Sequence, residues 1–361
     1  MSAQPASATS GRLRALLRHN ETGLIGIMLL ITLVAAVAVP SFRGSGNPSE
    51  ILDNASLVVI VAVGEYLVIV TRQIDLSTAA TLGLSAYLIG ELVGSIHVGV
   101  LGPVVGVLAS LGLGAVLGLA NGALVERVKM PAIIATLATL SIYSGLQVVA
   151  THGSQLYADQ LPNWLGNIVS ESWLGLSPLV WAALVVTVVV TFVGRRTSWG
   201  RDLYAMGSNP EAARYLGIRT ARRTYEVFAA CGALAGFAGL LYAGQYGNVD
   251  ATAGNGFELT AIAAAVIGGV SLFGGSGTAL GAALGGLLLT EIENILALLK
   301  ISIFAQQTLQ GAAIVIAVAG YALISRRLNR PARRNLATAE YRGDAPAHAG
   351  PPQPSPQELR A

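Results

Sequence analysis

Long runs of apolar residues alternate with short polar segments along most of this chain. A transmembrane helix needs about 20 mostly apolar residues, and ten runs approach or reach that length. The predicted spans cover residues 23–39, 51–70, 76–95, 98–120, 131–150, 177–194, 224–244, 258–273, 278–299 and 303–324. The pattern therefore predicts an all-α, polytopic membrane protein with about ten transmembrane helices.

The regions outside the spans divide the chain into three parts. Residues 1–20 form a short basic leader, residues 21–325 carry the spans, and residues 326–361 form a tail rich in Arg, Pro and Ala. This composition of the tail is typical of disorder. Over the whole chain, 53% of residues are hydrophobic and 11% are charged, whereas a soluble domain has about 25% charged residues. The composition therefore supports a membrane protein.

The positions of the basic residues predict the orientation of the spans. If the amino terminus lies inside the cell, ten spans place both termini in the cytoplasm. All but Arg43 and Lys300 of the 22 Lys and Arg residues then fall in cytoplasmic segments, as the positive-inside rule requires. We therefore expect a multi-pass protein with cytoplasmic termini and an apolar surface in contact with membrane lipid.

The segment 195–223 contains seven Arg and lies between two predicted spans. Ser208 and Glu211 have the spacing of a capping box, and Pro210 is suited to a first helical turn. Gly217 can end this helix in a left-handed conformation. A helix of about two turns is marginal on its own in water, so we expect a partner protein to bind it at the cytoplasmic face. The alternative is an ordinary basic inside loop.

Two short interruptions separate neighbouring spans, at residues 71–77 and 268–277. Each is compatible with a tight cytoplasmic turn or with a broken helix whose backbone groups bind protein or water. The Gly-rich run 268–277 lacks the preceding strand of a dinucleotide-binding site, so we interpret it as a close-packing turn. The corresponding positions of the two interruptions suggest a repeat that relates spans one to four with spans seven to ten. Within the spans, the spacing of Gly112, Gly114 and Gly118 predicts close helix packing.

A polar solute crossing these spans would need hydrogen-bonding groups on an otherwise apolar wall. The candidate residues within or beside spans are Asn54, Glu65, Asp75, Ser77, Thr136, Thr139, Tyr143, Gln147, Glu291, Glu293 and Asn294. For Ser and Thr the favoured alternative is a bond to a carbonyl of their own helix, and Asp75 can instead cap the helix that follows it. The acids of the ninth span fit a pathway or a packing role equally well. Glu65 is the best candidate, because an acid within a span is costly and therefore functional by default.

The sequence contains no pattern of a catalytic or cofactor-binding site. A phosphate-binding loop ends in Gly-Lys-Ser or Gly-Lys-Thr, but neither Lys129 nor Lys300 has such a setting. The four histidines lack the spacing of metal ligands, and no serine lies in a nucleophile elbow. We therefore expect a protein that is not an enzyme, with no cofactor, no metal and no nucleic-acid partner. Energy for transport would come from another subunit or from an ion gradient.

Four segments, in order along the chain, resemble one known family. They are IDLS at residues 74–77, PAIIATLATLSIYSGL from Pro131, GRDLYAMGSNPEAARYLGI at 200–218, and FELTAIAAAVIGGVSLFGGSGTALGAALGGLLL at 257–289. Together they are similar to the permease subunits of bacterial ABC importers for monosaccharides, of the ribose, rhamnose and autoinducer-2 type. The resemblance extends over residues 20–325.

The resemblance implies the type II ABC importer permease architecture and a location in the bacterial inner membrane. It also implies that the permease dimerises with an identical copy or a related chain, binds separate ATP-binding subunits inside, and receives a sugar from a periplasmic binding protein. The residues that match the family's coupling segment are Gly200, Asp202, Gly207, Asn209, Pro210, Glu211, Ala212, Ala213 and Gly217. Ser208 adjoins them and is counted as a coupling residue with them. Thr260 stands where the family often has an Asp. The rival interpretation is a stand-alone secondary transporter, which ten spans and a two-fold repeat would also permit.

Overall fold

A computed structural model describes residues 20–96, 99–302 and isolated positions between 305 and 315. The chain divides into a unit of residues 1–314 and a unit of residues 315–361, and the description below concerns the first. Its helices within the described residues are α1 (Asn20–Ala38), α2 (Asn47–Ile69), α3 (Thr78–Ser95), α4 (Gly102–Glu126), α5 (Ala132–Thr151), α6 (Asn163–Gly166), α7 (Pro178–Arg196), α8 (Ser198–Ser208), α9 (Pro210–Tyr215), α10 (Thr220–Tyr246), α11 (Phe257–Ile267) and α12 (Ala279–Leu298). Two short strands, β1 (Leu156–Tyr157) and β2 (Asn248–Val249), pair antiparallel.

Seven helices of the described residues are long and apolar enough to cross a membrane: α1, α2, α4, α5, α7, α10 and α12. The helix α3 also has 18 residues, but polar side chains such as Thr78, Thr81 and Ser85 make it less apolar, and they are buried against other helices. Most of the predicted tenth span, residues 303–324, lies outside the described residues.

The predicted eighth span, residues 258–273, is too long. Its helix, α11, has only 11 residues, which corresponds to about 16 Å of the roughly 30 Å hydrocarbon core. The helix ends at Ile267, and Gly269 follows with a positive φ of 89°. Since glycine tolerates this conformation, the chain leaves the helix there and continues as an irregular loop up to Thr278.

The interior of the bundle is built around α2 and α10. In a continuous apolar stretch of 18 residues within α2, 89% of the residues are buried, because α2 packs against α7, α10, α11 and α12. The helix α10 packs against α2, α3 and α4. By contrast, only 11% to 28% of the residues are buried in the corresponding stretches of α1, α4, α5 and α7. The exposed side chains of these four helices are apolar, as expected of helices that face lipid.

The closest approach between two spans is the contact of α4 with α10. A Cβ atom at Gly114 or Gly118 would collide with the backbone of α10, and one at Gly232 or Gly236 would collide with the backbone of α4. These four glycines therefore interlock. The predicted close packing is confirmed at Gly114 and Gly118, whereas Gly112 faces open space.

We call the end of the bundle that carries α8 and α9 the basic end, because most of the Arg residues of segment 195–223 lie there. The turn 70–77 between α2 and α3 and the loop 268–278 between α11 and α12 also lie at the basic end, where Gly275 N donates to Val70 O at 2.8 Å. The opposite end carries segment 152–177 and loop 247–256. Gln147 of α5 holds that loop through bonds of 3.1 Å from Nε2 to the carbonyls of Asp250 and Ala253.

Candidate functional site

The segment 197–217 forms two consecutive helices, where the sequence predicts one. The Thr197 hydroxyl accepts the Gly200 amide at the start of α8. The Asn209 Oδ1 atom accepts the amides of Glu211 and Ala212 at 3.1 Å each at the start of α9. Each helix thus has a side-chain cap of the usual type.

The predicted capping box of Ser208 and Glu211 is wrong. The helix α8 extends to Ser208, whose hydroxyl donates to Tyr204 O one turn earlier at 2.8 Å. The cap is therefore the next residue, Asn209. The other end of α9 agrees with the sequence, since Gly217 has a φ of 81° and its amide donates to Arg214 O, as in a left-handed helix stop.

The first anchor of α8 is an ion-pair group at the start of α10. Arg223 donates to Asp202 Oδ2 from Nη2 at 2.7 Å and from Nε at 3.0 Å, and from Nη1 to Glu226 at 2.7 Å. Trp199 Nε1 also donates to Glu226, at 2.7 Å. These side chains are about one-fifth to one-quarter exposed, so their main effect is to fix the direction of α8 relative to α10.

The second anchor of α8 is Tyr204, which points back into the bundle. Its hydroxyl lies 2.7 Å from the hydroxyl of Tyr66 on α2 and donates to Gly277 O at 2.8 Å. A single side chain thus joins α8 to a central span and to the loop 268–278. A hydroxyl pair buried in this way is costly to break, because each group would lose its partner away from water.

The third anchor of α8 is Arg72, in the turn between α2 and α3. Its guanidinium donates to Phe273 O at 2.7 Å and to Ser208 O at 2.8 Å. Ser208 is the last residue of α8, where a cation also interacts favourably with the helix dipole. Next to it, a Cβ atom at Gly207 would collide with Val70 O. We call the contact of α8, turn 70–77 and loop 268–278 the basic-end junction.

The residues of the predicted coupling segment divide into inward and outward groups. Gly200, Asp202, Gly207, Asn209 and Ala213 hold the two helices together or against the bundle, and Ala213 is 1% exposed. The side of α9 that faces outward carries Pro210, Glu211, Ala212 and two large apolar side chains, Tyr215 and Leu216. Tyr215 is 93% exposed and Leu216 is 79% exposed.

A buried polar cluster lies between α3, α4 and α5. Asp75 Oδ1 accepts the Ser77 amide at 2.9 Å and the Ser77 hydroxyl at 2.7 Å. Asn121 Nδ2 donates to Ser77 Oγ at 2.7 Å and to the Asp75 carboxylate at 3.3 Å, and Thr139 donates to Asn121 Oδ1. Burial raises the pKa of Asp75 above its ordinary value, although the bonds from Ser77 and Asn121 act in the opposite direction. The alternative role of Asp75 as the cap of α3 is not found, because Ser77 is the residue that precedes the helix and Asp75 lies two residues before it, accepting the Ser77 amide.

The remaining inner candidates are also buried and bound within the protein. Thr136 donates to Ala132 O in its own helix, as the alternative for Ser and Thr predicts. Tyr143 donates to Leu117 O at 2.9 Å. Glu65 is fully buried and accepts a 3.3 Å bond from Thr78. The structure thus places five of the candidate pathway residues in packed contacts rather than along an open cavity: Glu65, Asp75, Ser77, Thr136 and Tyr143.

Three other candidates meet at a cavity of about 340 Å³ at the opposite end of the bundle. Asn54 of α2 and Glu293 and Asn294 of α12 line it together. The other described lining residues are Glu50, Val58, Tyr246, Phe257, Thr260, Thr290, Ala297 and Gln306. We call this cavity the outer pocket. Glu291 lies elsewhere, bound by the Thr32 hydroxyl of α1.

Two features of the site were not predicted from the sequence. The interruptions 71–77 and 268–277 are recognisable as turns, but nothing local indicates that Arg72 and Phe273 are in contact. The exposed pair Tyr215 and Leu216 could have been recognised, since two large apolar residues next to a helix stop are unusual on a basic surface.

Comparisons with known proteins support the family that the sequence suggested. A family model described as "Branched-chain amino acid transport system / permease component" matches residues 47–318. The "Autoinducer 2 import system permease protein LsrC" of Salmonella typhi is 35% identical over 323 residues, which is 90% of each chain. The protein of that name from Photorhabdus luminescens is 37% identical over 288 residues, 79% of this chain and 85% of its own. No solved structure matches. Since the family match covers most of the chain, this multi-pass membrane protein belongs to that family of transport-system permeases.

Proposed function

We propose that this chain is the membrane-spanning subunit of an ABC importer. It passes a monosaccharide or a similar small polar solute from a periplasmic binding protein into the cytoplasm, and a separate ATP-binding subunit supplies the energy. The printed names of the relatives, which are permeases of an import system, support this proposal. So does the lack of a phosphate-binding loop in the chain's own sequence.

The proposed arrangement in the membrane follows from the charges and the helix directions. The basic end faces the cytoplasm, because the positive-inside rule favours Arg on that side. The spans alternate in direction from α1 to α12, and a final span at 303–324 would return the chain to the cytoplasm. If the short α11 and loop 268–278 together count as one crossing and the predicted span 303–324 as another, this gives ten crossings and cytoplasmic termini. The inner-membrane location and the type II importer architecture are proposed from the resemblance to the permease family. A second copy or a related permease completes the dimer.

The observation that best supports coupling to an ATPase is the position of α8 and α9. Three anchors, through Asp202, Tyr204 and Arg72, fix α8 to α10, to α2 and to both turns of the basic end. The helix α9 continues outward and presents Tyr215 and Leu216. A partner that pushes on α9 therefore moves a rigid element with three attachments inside the bundle, as a flexible loop could not.

The solute path is proposed to begin at the outer pocket. Asn54, Glu293 and Asn294 supply polar groups at the periplasmic end of α2 and α12. The short helix α11 begins beside this pocket and ends at loop 268–278, which belongs to the basic-end junction. A movement of the junction can therefore reach the pocket along α11, within one helix.

Co-purification tests the proposal. The chain is tagged at its C-terminus and extracted from its native membrane in a mild detergent, and the associated proteins are identified. We expect an ATP-binding subunit in a fixed ratio. The double variant Tyr215→Ser/Leu216→Ser removes apolar contact area from α9 and should lose that subunit.

The matched control is Leu174→Ser. Leu174 is 92% exposed and lies at the opposite end of the bundle, so its replacement should leave the recovered ATPase unchanged. If the wild-type chain emerges alone while a control transporter stays assembled, the importer proposal fails and gradient-driven uptake becomes the test. Equal loss in the Leu174 variant would show that α9 is not the docking element.

A further inference from the structure

The outer pocket is rich in hydrogen-bond acceptors. Asn54, Asn294 and Gln306 contribute side-chain amides, and Glu50 and Glu293 contribute carboxyl groups. The Asn294 Oδ1 atom is buried and has no hydrogen-bond partner among the described residues. Behind the pocket, Gln245 donates to Asn54 Oδ1 at 2.7 Å, and its own Oε1 is also buried without a partner in the described part of the chain. Buried acceptors without donors are uncommon and costly.

One wall of the outer pocket is aromatic. Tyr246 and Phe257 line it, and Tyr242 lies between them, with ring centroids 4.5 Å from Tyr246 and 6.1 Å from Phe257. Tyr246 is 48% exposed, so its ring is accessible. An apolar face beside a few placed polar groups is the usual composition of a small-molecule site.

The charged side chains among the described residues that line the outer pocket are all acidic. None of its described lining residues is Lys, Arg or His, whereas two are Glu. An anion would find no cation to pair with there and would lie near carboxyl groups, which is unfavourable in a partly desolvated site. A neutral molecule with several hydroxyl groups can exchange hydrogen bonds with the side-chain amides and carboxyl groups of the lining, and can place its C–H face on Tyr246.

We propose that the outer pocket is a solute-binding site of the permease itself, which accepts neutral polyhydroxylated molecules of monosaccharide size and rejects their anionic derivatives. The site rests on the proposed importer function for its role, since it would receive the solute that the binding protein releases. It adds a step of selection within the permease to that of the binding protein. The free volume of about 340 Å³ is at the lower end of the range for ligand sites and suits one sugar ring.

Direct binding to the purified permease in lipid nanodiscs, without its partners, tests the inference. Saturation-transfer NMR is recorded with ribose and rhamnose as neutral probes and with ribose 5-phosphate as the anionic probe. We expect transfer to at least one neutral probe and none to the phosphate. The variant Asn294→Leu should weaken neutral binding by about tenfold, since it removes one hydrogen-bonding amide from the pocket lining.

The variant Glu293→Gln separates selection from folding. It preserves the shape and one acceptor oxygen and removes the charge, and a sugar hydroxyl can accept from the new amide group. We therefore expect nearly unchanged binding of the neutral probe and a gain of binding to ribose 5-phosphate. The matched control is Asn163→Leu, in another cavity of about 440 Å³ at the same end, which should leave all signals unchanged.

The outcomes distinguish the pocket from the proposed function. If no neutral probe binds although the assembled complex transports a sugar, the inference fails and the importer function stands. If ribose 5-phosphate binds as well as ribose, or if the Asn163 variant loses as much binding as the Asn294 variant, the inference also fails. Selective binding that depends on Asn294 supports the pocket even if no ATPase partner is found.

Discussion

Replacement of Asn209 by alanine should loosen α9 specifically. The variant Asn209→Ala removes the oxygen that accepts the amides of Glu211 and Ala212. Loss of such a cap costs about 1 kcal/mol, within a range of roughly 0.5–2. The helix has six residues and little stability of its own, so we expect the loss to appear almost entirely as local opening. A cost of about 1 kcal/mol raises the open fraction about fivefold.

Hydrogen–deuterium exchange with mass spectrometry measures this opening. In the Asn209→Ala variant we expect about fivefold faster exchange in the peptide that covers residues 210–217, with no change in a peptide from the centre of α10. The variant Asn209→Asp should exchange at nearly the wild-type rate, because an aspartate oxygen accepts the same two amides.

The control for this experiment is Ser208→Ala. Its hydroxyl donates only to Tyr204 O within α8, and such bonds contribute little to helix stability. We therefore expect exchange of α9 close to the wild-type rate. If the Ser208 variant opens α9 as much as the Asn209 variant does, or if neither changes it, the assignment of the cap to Asn209 is refuted.

Three further predictions concern the junction and the buried cluster. Gly207→Ala places a methyl group against Val70 O and should cost about 1–3 kcal/mol, seen as a lower melting temperature and as reduced uptake in proteoliposomes. Arg72→Gln loses the charged hydrogen bonds of Arg72 to the carbonyls of Phe273 and Ser208. ATP hydrolysis by the assembled complex should therefore continue, while the uptake per ATP hydrolysed falls. Arg72→Lys should restore little of that uptake, because an ammonium group does not have the forked shape that reaches both oxygens. An unchanged uptake-to-hydrolysis ratio in Arg72→Gln would contradict that role. Asn121→Leu leaves Asp75 without one donor and should destabilise the protein by about 1–3 kcal/mol in thermal unfolding; a loss as small as that of a conservative surface variant would show that the cluster does not stabilise the bundle.

Seven of the ten predicted spans correspond to helices that are long and apolar enough to cross a membrane, because the signal of such a helix is local, a run of about 20 apolar residues. The excess of Arg between the sixth and seventh runs is equally visible in the sequence, where it predicts a cytoplasmic segment. The helix stop at Gly217 was equally local, since a single residue type supplies the positive φ. The resemblance to the permease family, carried by four ordered segments, is confirmed by the family match over residues 47–318.

The errors arose where distant parts of the chain decide local structure. Ser208 and Asn209 are adjacent and both can cap a helix, and only the length of α8 determines which one does. The sequence predicts a full span where α11 is short, because the residues after Ile267 are still apolar. In the structure, loop 268–278 is held by contacts with Arg72 and Val70, which lie about 200 residues earlier in the chain. The sequence likewise does not show how deep in the bundle each polar residue lies. The candidate pathway residues therefore included residues of the buried polar cluster together with residues of the outer pocket.

The interlocked glycines of α4 and α10 have a mechanical consequence. The two helices have no side chains at the four positions where their backbones meet, Gly114, Gly118, Gly232 and Gly236, and such close packing favours movement of the pair as one body. Since α10 begins only a few residues after Gly217, we expect a displacement of α9 to reach α4 through α10, although α4 ends more than 80 residues before α9 in the chain. The hinges of the transport cycle should therefore be sought at the borders of this pair and not within it.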